Sequence, residues 1–116
     1  MAKFKRINAE AEITDIEPIA AEKLVSGLPK GGSNNQHINE KGNFFVGVWA
    51  SDAGCWNVSY SEDEFCTILD GEAIITEENG TPQHVKTGDH FTMSAGFNGT
   101  WETVGSVKKL YVIYED

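Results

Sequence analysis

The sequence predicts an all-β fold, an antiparallel sandwich or barrel. Two observations carry this. From Phe44 onward, short segments rich in aromatic and β-branched residues follow one another at close spacing. Turn formers separate them, most plainly Asn79-Gly80 and Thr87-Gly88-Asp89. Helical signals occur only near the N-terminus, which argues against an α/β or helical class.

The elements are expected in this order. "EPIAAEKLVSG" reads as a short helix, with Pro18 near its start and Gly27 where a C-terminal cap would sit. "LPKGGSNNQ" is composed of turn formers and reads as a loop. "FFVGVWA" is an apolar strand. "CWNVSY" alternates, with Trp56, Val58 and Tyr60 on one face. "EFCTIL" and "EAIIT" follow as two strands, then a hairpin turn. "QHVKTGDHFTMSAGF" supplies two short strands, and "GTWETV" and "KKLYVIYE" complete the chain.

The 116 residues suffice for one domain and one core. A net charge of -9 argues against a partner that is nucleic acid or an anionic membrane, since both need a basic face. The longest apolar run, Phe44 to Ala50, is too short to span a bilayer, and the N-terminus lacks the apolar core of a signal peptide. A cytoplasmic location is therefore expected, with Cys55 and Cys66 as free thiols.

The succession "GVWASDAGCWNVSY", "DEFCTILDGEAIIT", "TGDHFTMSAGFNGTW" and "VKKLYVIYE" resembles a cupin. More narrowly, it is similar to the small cupins related to the cupin domain of (S)-ureidoglycine aminohydrolase and to the ethanolamine-utilisation cupins. The resemblance implies a cupin jelly-roll β-barrel over residues 42–116, often dimeric. Residues 1–41 would be an N-terminal segment of strand and short helix, packed on the barrel or on a partner subunit. The stretches "FKRI" and "AEITDI" are its candidates for an added strand at a homodimer interface.

Cupins carry G-x5-H-x-H-x3,4-E-x6-G and G-x5-P-x-G-x2-H-x3-N, whose three histidines and glutamate converge on one metal. Counted back from Gly71, the motif glutamate is Glu64. The histidine positions fall on Val58, Tyr60 and Gly99, and the proline position on Ser94. One ligand of four survives, so no metal cofactor is expected. Cys66, or a histidine brought from elsewhere, would be needed to restore one. His37, His84 and His90 read as surface or loop positions.

Strand parity turns Trp56, Val58 and Tyr60 inward, with Glu64, Cys66 and Ile68 on the next strand. Gly99, Trp101 and Thr103 share an inner face, as do Lys109 and Tyr111. Aromatic walls with convergent polar groups suit a small molecule. Trp56, Val58, Trp101, Lys109 and Tyr111 are the candidate ligand contacts, although Trp56 and Trp101 also fit plain core filling. If the barrel is catalytic, Glu64 would be a general acid or base with a raised pKa. Tyr60 would orient substrate or donate a proton, and Cys66 would be the nucleophile. Cys66 fits equally as a small buried hydrophobe, and Lys109 as the partner of Glu64 or as a surface residue.

Three function classes follow. The first is a binding module for a small polar, nitrogenous metabolite. The second is a hydrolase or isomerase acting on a ureide- or amine-type metabolite. The third is a structural subunit with a solid core.

Overall fold

The computed structural model describes residues 3–116. It contains eight strands: β1 Glu17–Pro18, β2 Leu24–Ser26, β3 Lys30–Ile38, β4 Phe44–Ser59, β5 Asp63–Glu77, β6 Gln83–Lys86, β7 His90–Met93 and β8 Asn98–Tyr114. Every pairing is antiparallel, in the order β1-β3-β4-β8-β5-β6, with β2 beside β4 and β7 beside β5.

The architecture rests on three long strands, each of which serves both layers of the sandwich. "FFVGVWA" and "CWNVSY" are two halves of the single strand β4. "EFCTIL" and "EAIIT" likewise fuse into β5, and the last two segments into β8. The register slips between Asp52 and Gly54, between Ile68 and Glu72, and in β8 across the same level. Glycines stand at these slips. Gly71 and Gly105 have φ of +90° and +76°, where a side chain is strained, and a Cβ on Gly54 would lie 2.5 Å from the Pro29 ring.

Each strand bends there and continues in the opposite layer. One layer holds β3, β7 and the halves of β4, β5 and β8 around Val48, Cys66 and Lys109. The other holds β2, β6 and the halves around Trp56, Ala73 and Trp101. The inner faces meet in one core, with Trp49 of the first layer 5.6 Å from Trp101 of the second, edge on. Trp56, Cys66, Ile68, Ala73, Ile75, Val85, Met93, Trp101 and Val107 are its buried members.

Two N-terminal expectations need correction. The segment Glu17–Gly27 is not a helix. It is strand β1, a single 3-10 turn at Ala21–Lys23, and strand β2. An isolated helix of this length is marginal in water. Edge pairing wins instead: Leu24 lies opposite Trp56, and the Ile19 amide donates to the Pro29 carbonyl at 3.0 Å. Nor is "LPKGGSNNQ" a loop, because Lys30–Ile38 forms the nine-residue strand β3 along β4. Its glycines serve close approach rather than turning. A Cβ on Gly32 would stand 2.7 Å from the Asp15 carbonyl oxygen, and one on Gly31 3.2 Å from Trp49. That clearance lets residues before β1 lie against β3, where Thr14 donates to the Ser33 carbonyl and Ser33 to the Asp15 carboxylate. The segment carrying "AEITDI" thus packs on its own barrel. None of the described helices is long and apolar enough to cross a membrane.

Candidate functional site

A cavity of about 640 Å³ opens between the two layers. Its floor is built from alternate residues of bent strands. β5 contributes Glu64, β8 contributes Trp101, Lys109 and Tyr111, and β4 contributes Trp49, Trp56 and Val58. Tyr60, just past the end of β4, completes the aromatic wall. Glu62 and Glu115 also line it, and the single Ser61 hydroxyl proton is shared between their carboxylates, at 2.9 Å to Glu115 and 3.2 Å to Glu62.

At the centre is a buried ion pair. Lys109 Nζ donates to Glu64 Oε2 at 2.8 Å, and both side chains are less than a tenth exposed. The Cys66 thiol donates to the same oxygen at 3.2 Å. The ammonium also lies over two indoles, 4.5 Å from the Trp101 ring and 4.9 Å from that of Trp49. Cation–π attraction is strongest where water is excluded, as here. Strand register explains the meeting. Cys66 pairs with Tyr111 and Ile68 with Lys109, so the long lysine side chain need only run along the strand to reach Glu64.

The surroundings set the protonation states. Burial alone would lower the Lys109 pKa. Attraction to Cys66, Glu64 and Tyr60 and the hydrogen bond to Glu64 more than offset that and raise it, and with thiol and phenol protonated near pH 7 it is the Glu64 carboxylate that keeps the amine charged there. Burial pushes the Cys66 thiol up to about 12, with Lys109 pulling the other way and Glu64 adding to the rise. Burial likewise raises Tyr60 to about 12. Both are therefore neutral donors near pH 7. A thiol held in this way is a poor nucleophile, because the thiolate is the reactive form.

These shifts share one sign. An unfolded chain loses the Cys66 proton near 9.0, whereas the folded chain keeps it to about 12. Tyr60 behaves alike from 10.0, and the Lys109 contribution is complete below 10.5 and lost as pH climbs through its raised folded value. In each window the folded state holds a proton that the unfolded state has released, so stability falls as pH rises. The urea midpoint should be flat up to about pH 9 and decline steeply above it. Burial also raises the Cys55 thiol, so in a Cys55→Ser background Cys66→Ser should delay the onset by about one pH unit, to where tyrosine and lysine titrate. A midpoint unchanged from pH 8 to 11 would refute this electrostatic account.

No buried side-chain nitrogen or oxygen among the described residues lacks a hydrogen-bond partner. Glu64 Oε1 and the Tyr60 hydroxyl make no hydrogen bond to the described residues, so both must open to the cavity they line. At the far wall the Tyr111 hydroxyl donates to Asn35 Oδ1 at 2.8 Å. Beneath the floor, Trp101 Nε1 donates to Thr103 Oγ1, which also bonds Ser51 Oγ at 2.6 Å.

Of the sequence candidates, Trp56, Val58, Tyr60, Glu64, Trp101, Lys109 and Tyr111 share this cavity, and Cys66 lies behind Glu64. Trp56 and Trp101 serve both wall and core. Trp49, Ser33 and Asn35 line the cavity as well, without a signal in the sequence. Trp49 sits in an apolar run with no alternation to orient it, and the other two lie in the strand read as a loop. His84 and His90 are on the surface, bonded to Glu72 and Thr67. His37 lies within β3 and is partly buried, with its ring 5.9 Å from that of Phe44, and so is neither a loop nor a fully exposed residue.

The positions that hold metal ligands in other barrels of this kind do not fit a metal here. Val58 and Gly99 offer no donor, and the bonded oxygen of Glu64 is taken by the ammonium. Among the described residues no three His, Cys, Asp or Glu side chains cluster to hold an ion.

A two-layered antiparallel barrel with its polar cluster inside, on the glutamate of the E-x6-G spacing from Glu64 to Gly71, defines a cupin whose usual metal ligands are replaced. The chain belongs to the EutQ-like cupin domain family, which matches residues 38–111. No curated protein matches it. Among solved structures it is similar to a DUF861-family protein of unknown function from Pseudomonas syringae pv. tomato. That match has 26% identity and a TM-score of 0.83, and covers 92% of this chain and 46% of the other. The chain thus spans about half the length of that protein. The fold is shared with the EutQ protein of Clostridium difficile, at 15% identity, a TM-score of 0.67 and coverage of 75% and 69%. It is also shared with a putative ethanolamine utilization protein Q from Salmonella typhimurium, at 16% identity, a TM-score of 0.66 and coverage of 90% and 98%.

Proposed function

We infer that the barrel binds a small, uncharged, nitrogen-bearing metabolite without a metal. One observation carries this reading. Within an aromatic cavity of about 640 Å³, the floor pairs an acceptor, Glu64 Oε1, with neutral and cationic donors, the Tyr60 hydroxyl and Lys109. An amide- or urea-like group presents N–H and C=O side by side and matches such a floor. The paired charges of Glu64 and Lys109 cancel, while Glu62 and Glu115 line the mouth. Multiply charged anions are disfavoured there.

A thermal-shift screen tests this. Amides and ureides at millimolar concentration should raise the melting temperature, dicarboxylates and phosphates should not, and chelator should change neither result. Glu64→Gln, which removes the charge and one of the two acceptor oxygens, should weaken the best ligand about tenfold or more, the equivalent of one charge-assisted hydrogen bond. A ligand set made up only of anions would sink the reading.

Hydrolysis or isomerisation of such a ligand is the second reading. It is favoured by the freedom of Glu64 Oε1, which could exchange a proton with a bound N–H. It does not run through Cys66, whose thiol is held neutral. Turnover that survives Cys66→Ser but not Glu64→Gln would support it.

A homodimer remains part of the proposal. Ile16, Val25 and Leu28 are all more than half exposed in the isolated chain, beside the short edge strands β1 and β2. Light scattering at micromolar concentration should give twice the chain mass, and a monomer would refute it.

A further inference from the structure

We propose that Lys109 is the permanent cation of this barrel. Its ammonium stands on Glu64 where an ion would otherwise sit, keeps divalent metals out, and supplies the positive pole for an oxygen acceptor on the bound molecule. The last of these roles rests on the ligand binding proposed above, whereas metal exclusion stands without it.

Three observations converge. Glu64 Oε2 accepts from Lys109 at 2.8 Å and from the Cys66 thiol at 3.2 Å, so its bonding directions towards the core are filled from within the chain. The ammonium is buried against the Trp49 and Trp101 rings, which pins a positive charge at one point and leaves no room for a hydrated ion between it and the carboxylate. Every other group on this floor is neutral or apolar, as Tyr60, Cys66 and Val58 are, so nothing else offsets the Glu64 charge. A second cation brought to Glu64 would meet a like charge within bonding distance, in a medium where such repulsion is poorly screened.

The corollary is that position 109 decides the matter, although Val58 and Gly99 offer no donor. Glu64 and Cys66 are two donors already oriented on one centre. A third, supplied at position 109, would complete the carboxylate, thiolate and imidazole set that zinc and cobalt accept. Binding would then form a metal–sulfur bond, with the thiol proton released to the buffer.

Cobalt(II) is the probe, in a Cys55→Ser background so that Cys66 is the only thiol. Wild-type side chains at 64, 66 and 109 should give no thiolate-to-cobalt charge-transfer band, either on titration or on refolding from urea with excess cobalt. Lys109→His should give the band at about one cobalt per chain, and adding Cys66→Ser should abolish it. Lys109→Arg, which keeps the cation, should stay cobalt-free. The proposal is overturned if the Lys109 protein takes up one cobalt per chain in a manner lost on Glu64→Gln. A Lys109→His protein with native near-ultraviolet tryptophan signals that binds no cobalt would also overturn it. Should Lys109→His fail to fold, the refolding of the Lys109 protein in cobalt decides alone: a band there refutes the idea, and its absence upholds metal exclusion.

Discussion

Lys109→Met should lose about 3–5 kcal/mol of stability, the usual consequence of leaving one partner of a buried ion pair without the other. Glu64 lies 5% exposed on the barrel floor, and its remaining partner, the Cys66 thiol, is a weak donor that cannot replace an ammonium. Methionine keeps most of the apolar contact with Trp49 and Trp101, so the loss reads the charge rather than a cavity. The double variant Glu64→Gln, Lys109→Met should recover most of the stability, because neither charge then remains buried. Urea midpoints for the four proteins form a double-mutant cycle. An additive cycle would mean that the pair contributes nothing to folding.

Gly71→Ala should lose about 3 kcal/mol or more, combining strained backbone with overpacking. Gly71 has φ of +90° at the bend of β5, and a Cβ there would run into the Ser106 carbonyl of the paired strand. For a chain of this size, the melting temperature should fall on the order of 10 °C or more. Gly88 provides the control. Its φ is +94°, but nothing lies within 4 Å of its Cβ position, so Gly88→Ala carries the backbone strain alone and should cost about 1 kcal/mol. Equal losses at the two glycines would show that the β5 bend does not depend on close contact with β8.

The acidic surface, the turns at Asn79-Gly80 and Gly88, and the inward parity of Glu64, Cys66 and Ile68 were all legible in the sequence. Each is a local property. Composition sums over residues, a turn depends on the φ of one or two positions, and alternation along a strand needs no partner. For the same reason the motif spacing from Glu64 to Gly71 placed the carboxylate inside the barrel.

What only the tertiary structure decided depends on which strands meet. The chain gives the same local signal for a turn between two strands as for a bend within one, so β4, β5 and β8 each read as two elements. Their fusion comes from pairing across the bend. Strand β3 was hidden because its glycines and asparagines are turn formers in isolation, yet between β4 and the N-terminal segment they are the residues small enough to fit. The helix expected at Glu17–Gly27 gave way because backbone hydrogen bonds to β3 and β4 were on offer at no further cost in ordering. The partner of Glu64 could be named only as a possibility. Parity set Lys109 on the inner face with Tyr111, but beside Lys108 it fitted a surface residue as well, and sequence does not say that its ammonium reaches Glu64. The register of β8 against β5 does. It sets Lys109 opposite Ile68 on the inner face, and turns Lys108 outward to donate to the Ala11 carbonyl at 3.1 Å.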